Sequence, residues 1–174
     1  MEKALNLALR MGFSHAGVLD AATIRLKEEV RQMCAACGMH DKRWSCPPGC
    51  GSLEDLREKV GAYSTGILVQ TTGELEDEFD GEAMMETEDL HKENFGKLYK
   101  LLREEYPGML ALGAGCCRLC KECAYPDSPC RFPEKMVSSM EAFGMVVTEV
   151  CRANKMEYNY GKNTITYTSC FLLK

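Results

Sequence analysis

Cys117, Cys120 and Cys123, closed by Cys130, constrain this chain more than any other feature; the pattern reads C-x2-C-x2-C-x6-C. Thiols spaced this closely form one tight loop whose sulfurs can all turn inward. A four-iron cube presents separate irons at its corners, so neighbouring cysteines can each take one. A tetrahedral zinc ion more often takes one C-x2-C pair from a knuckle and a second pair from elsewhere. The run points to an iron–sulfur cluster, with zinc as the alternative.

A second group, Cys34, Cys37, Cys46 and Cys50, reads C-x2-C-x8-C-x3-C and again makes one ligand set of four. Pro47 follows Cys46, in the manner of the C-P ending of bacterial ferredoxin runs, and its fixed φ stiffens the chain leaving the ligand. Two cysteine pairs also suit a zinc knuckle, so zinc competes more strongly here. The eight cysteines supply two [4Fe-4S] clusters, and the sequence permits Cys50 and Cys130 to exchange partners.

With 174 residues the chain suits a single cysteine-rich domain, and an apolar fraction of 45% is enough for a core. A net charge of −5 with no basic stretch argues against nucleic acid as a partner. No run approaches a membrane span, and the start lacks the uninterrupted apolar core of a signal peptide. Eleven cysteines, an odd number in clusters, fit a cytoplasmic metalloprotein better than a secreted disulfide scaffold.

Helical spacing of Leu5, Ala8 and Leu9 predicts a helix from about Glu2 to Met11, stopped by Gly12. His15–Asp20 reads as a strand and Thr23–Met33 as a helix. Ser52 caps a further helix to about Lys59. Thr65–Thr71 is the clearest strand, apolar enough for burial on both faces. The acidic stretch Glu74–Asp89 reads as a solvated loop and helix start, leading into a long helix over Ala83–Glu105. On it, His91 shares a face with Phe95, Leu98 and Leu102 and reads as a packing residue. Met109–Ala114 is a third strand. Pro133 opens a helix containing Met136, Val137 and Met140, ended by Gly144. Another helix covers Val146–Asn154. Met156–Tyr160 and Thr164–Leu173 close the chain as a hairpin. Cys151 and Cys170 fall in regular elements and read as small buried hydrophobes. The expected fold is α/β: a mixed sheet flanked by helices, with cysteine-rich metal loops at about 34–50 and 116–130.

Trp44-Ser45-Cys46-Pro47-Pro48 preceded by Cys34-x2-Cys37 resembles one half of a prokaryotic family, domain of unknown function 2284. The other half is similar in Gly113-Ala114-Gly115-x-Cys117-x2-Cys120-x2-Cys123, Cys130-Arg131-x-Pro133-Glu134 and Ser139-Met140-Glu141-Ala142-x-Gly144. The resemblance covers nearly the whole chain and implies metal binding, leaving the chemistry open. Met39-His40 stands where the family has an aromatic, with His40 a substitute for stacking or hydrogen bonding. Cys116 departs from the family pattern and is left out of the primary ligand set.

The leading functional reading is a two-cluster iron–sulfur protein that transfers electrons with a redox partner protein. Trp44, Phe132 and the prolines shield the clusters, and Arg118 or Arg131 tunes their potential. A second reading is a cluster-dependent redox enzyme with an open iron. Arg131 would then grip an anionic substrate and Glu141 transfer a proton, with Glu134 and Ser139 nearby on the helix after Cys130. A third is a zinc-stabilised interaction module.

Overall fold

The computed structural model describes residues 1–174. Five helices and five strands build it: α1 (Glu2–Arg10), β1 (His15–Asp20), α2 (Glu28–Met33), α3 (Leu53–Gly61), β2 (Thr65–Glu74), α4 (Gly81–Glu105), β3 (Leu110–Gly113), β4 (Ser138–Ser139), α5 (Val147–Ala153) and β5 (Thr164–Leu173). The sheet runs β1-β2-β5-β3-β4. All pairings are antiparallel except β3 with β4, so the sheet is mixed, as expected.

Alternation along the two ten-residue strands builds a core on each face of the sheet. Ile67 and Val69 of β2, with Phe171 and Leu173 of β5, pack against Ala4 and Ala8 of α1 and Leu98 and Leu102 of α4. Leu68, Cys170 and Leu172 face the other way, onto Leu56 and Val60 of α3, Val150 of α5, and Met140, Phe143 and Met145. Cys151 and Cys170 are both fully buried. Burial pushes the Cys170 thiol up to about 12, so it stays protonated.

The ends of the helices follow the local chemistry. Ser52 and Asp55 form a reciprocal capping box on α3. Asp80, at the end of the acidic stretch, accepts from the Ala83 N–H to cap α4. His91 is fully buried, its ring hydrogen-bonded to Thr71 Oγ1 at 2.9 Å and Ser169 Oγ at 2.7 Å. No helix is long and apolar enough to cross a membrane.

Three expectations fail. There is no helix after Pro133: Ser138 and Ser139 pair in parallel with Leu112 and Gly113. Pairing with β3 supplies that backbone with sheet hydrogen bonds in place of helical ones. The helix foreseen over Thr23–Met33 exists only from Glu28, because Leu26 bridges Met145 and is held extended. Met156–Tyr160 is not a strand, and β5 pairs with β2 and β3 instead.

Candidate metal centres

The first cysteine group starts where α2 runs into a short turn at Cys34–Ala36. It ends in another turn, closed by the Cys50 N–H on the Cys46 carbonyl at 3.0 Å. The second group leaves the sheet from β3. Gly115, at φ +76°, turns the chain in a conformation that suits glycine.

The two loops are stitched together. Arg43 donates to the Cys117 carbonyl at 3.0 Å, and the Cys117 N–H donates to Ser45 Oγ at 3.1 Å. Trp44 Nε1 donates to the Ser128 carbonyl at 3.0 Å, and the Tyr125 hydroxyl to Asp41 at 2.8 Å. The Trp44 and Tyr125 rings meet edge to face at 4.9 Å. Gly49 lets the backbones approach: a Cβ there would lie 2.8 Å from the Arg43 carbonyl oxygen and 2.9 Å from Tyr125 Cε2.

The cysteines divide between two hollows. Cys34, Cys37, Cys46 and Cys116 line a cavity of about 290 Å³, together with His40, Ser139 and Glu141. Cys117, Cys120, Cys123 and Cys130 line a cleft of about 20 Å³ beside Trp44 and Phe132. Cys50 lines neither. It is buried in the core that holds Leu56 and Phe143, its thiol donating to the Ala142 carbonyl at 3.6 Å. Arg131 donates to the Glu122 carbonyl at 2.8 Å, and Glu134 lends its carbonyl to the Tyr99 hydroxyl at 2.9 Å. Neither side chain lines a hollow. Arg118 faces Glu88 at 3.5 Å and Asp89 at 3.9 Å.

The thiols are not equivalent. The neighbouring Cys46 thiol pulls Cys116 down to about 6, while the influence of Cys116 and burial push Cys46 up. Burial raises Cys34 and Cys50 against the opposing charge of Arg31. For Cys123, burial acts upward but is outweighed by the Tyr125 and Trp44 backbone amides and Arg43, which hold the thiol below its ordinary value.

Arg31, Arg43 and Ser45 were not singled out from the sequence, and Cys116, set aside there, lines the first hollow. Arg31 is buried, with its Nη2 on the Gly51 carbonyl at 2.7 Å. Of these, only the Cys116-Cys117 pair is visible in the sequence, as two adjacent thiols able to serve neighbouring sites.

Thiolates are soft ligands suited to iron–sulfur clusters or zinc, so the donor chemistry of both hollows fits a metal. No three His, Cys, Asp or Glu side chains converge closely enough to grip a single ion. No curated protein and no solved structure matches the chain. A family model described as predicted metal-binding protein, DUF2284, matches residues 17–173. With nearly its whole length matched, and thiols gathered at two hollows, the chain belongs to this family of predicted metal-binding proteins.

Proposed function

We propose that this protein holds two [4Fe-4S] clusters and passes electrons to and from a redox partner protein. The observation that carries the reading is that Cys116 and Cys117, adjacent in sequence, line different hollows with three further cysteines each. Consecutive Cα atoms lie about 3.8 Å apart, so two centres ligated by this pair sit side by side. In this reading Cys34, Cys37, Cys46 and Cys116 hold the first cluster, and Cys117, Cys120, Cys123 and Cys130 the second. Cys50 is the competing fourth ligand of the first.

Such clusters supply one-electron chemistry when bound. The protein's own groups set its ease. Arg43, on the Cys117 carbonyl between the hollows, and Arg31, beside Cys34 and Cys50, favour the more negative reduced state. Trp44 covers the second hollow. The loop from Cys117 to Cys130 has no helix or strand, and its cleft of about 20 Å³ would have to widen to hold a cluster. Thiols that must remain reduced favour the cytoplasm as the compartment.

Paired variants test the ligand set. In anaerobic protein, Cys116→Ala and Cys120→Ser are each expected to lose about four irons of eight, and Cys50→Ala to keep all of them. Full iron in Cys116→Ala with loss in Cys50→Ala would return Cys50 to the first centre.

A second reading, catalysis at the first cluster, is favoured by one observation: His40, Ser139 and Glu141 share the larger hollow with its four thiols. Glu141 is then the proton-transfer group, and Arg131 and Glu134 are outside the site. A new electron paramagnetic resonance signal on adding cyanide to intact reduced protein would favour this reading; an unchanged spectrum would favour the carrier.

A further inference from the structure

A further concave site lies between α4 and the start of the second cysteine loop. It is a groove of about 560 Å³, within the size range of small-molecule pockets. Its aromatic wall is fixed in advance. Phe95 stacks on Phe171 with ring centroids 4.8 Å apart. Tyr99 is pinned by its hydroxyl, which donates to the Glu134 carbonyl at 2.9 Å and accepts from Arg103 at 3.0 Å. Gly96 keeps the space between them clear: a Cβ there would meet no heavy atom within 4 Å.

Charge in the groove opposes that of the whole chain. Lys92, Lys100, Arg118 and Lys135 line it, and no carboxylate does, although the protein carries a net charge of −5. Glu88, from the preceding turn of α4, pairs with Lys92 and Arg118. Lys100 and Lys135 have no ion-pair partner and are exposed. A rigid aromatic wall facing unpartnered ammonium groups recognises one chemistry: a flat apolar body carrying a negative charge.

We propose that this groove binds a small aromatic anion, an aromatic carboxylate or phosphate ester, against Phe95 and Tyr99, with its charge at Lys100 and Lys135. One end of the site is lined by Cys116 and Cys117, so an occupant lies against the residues that link the two hollows. The proposal goes beyond electron transfer and stands without any metal.

Titration calorimetry of the intact chain with phenyl phosphate, inorganic phosphate and benzyl alcohol tests it. Phenyl phosphate is expected to bind one-to-one, about tenfold or more tighter than either partial probe. Gly96→Leu fills the groove without opposing the helix, and Lys100→Glu with Lys135→Glu reverses the free charge. Each change is expected to weaken phenyl phosphate about tenfold. No saturable binding, equal binding of inorganic phosphate, or indifference to both changes would overturn the proposal. Iron content of the same samples reports separately on the clusters.

Discussion

His91 gives the fold a defined weakness to acid. Its ring is fully buried, and burial, with a smaller push from the Lys92 charge, lowers its pKa from 6.5 to about 4. The native state therefore holds the ring neutral where the unfolded chain has already taken up a proton. Stability from this group is whole above the unfolded value of 6.5 and is lost as pH falls toward 4. Between about pH 7.5 and pH 5 the two pKa values give a loss of about 2 kcal/mol. The assay is urea unfolding at both pH values, for wild type and for His91→Gln, which keeps an amide to hydrogen-bond Thr71 or Ser169 but does not titrate. The wild type should lose about 2 kcal/mol more than the variant over this interval. Other titrating groups, thiols included, cancel in the comparison. Equal losses, or a His91 titration near 6.5 by NMR of the native protein, would refute the argument.

Gly49→Ala places a methyl against the Arg43 carbonyl oxygen and Tyr125, and should cost about 1–3 kcal/mol. Its signature is faster proteolysis within both cysteine loops. Arg43→Met removes the donor to the Cys117 carbonyl; with the proposed clusters in place, their reduction potential should fall, as measured by a mediated redox titration. Cys151→Ala and Cys170→Ala should keep full metal content and lose about 1 kcal/mol or more each from the vacated core space, read by chemical unfolding.

Much of the fold was legible in the sequence where apolar periodicity ran long. β2 announced itself by its apolar centre, and α4 by the stripe that includes His91, Leu98 and Leu102. The misreadings share a cause: a tertiary contact overruled a local pattern. Met136, Val137 and Met140 are spaced like a helix face, but Ser138 and Ser139 are claimed by β3. Tyr160 looks like a strand residue, yet it stacks on His15 at 3.9 Å and donates to Gln70 at 2.7 Å. It covers β1 instead of pairing with β5. At the site, spacing picked out the cysteines but could not say which hollow each would line. That depends on Arg43 and Ser45 reaching across 74 and 72 residues of chain to hold Cys117. No periodicity encodes a contact of that range.

The central claim, two four-iron clusters, is tested most directly by iron, acid-labile sulfide and zinc content after anaerobic purification from iron-replete cells. About eight irons and eight sulfides per chain, with negligible zinc, is the predicted result. Stoichiometric zinc without labile sulfide would contradict it.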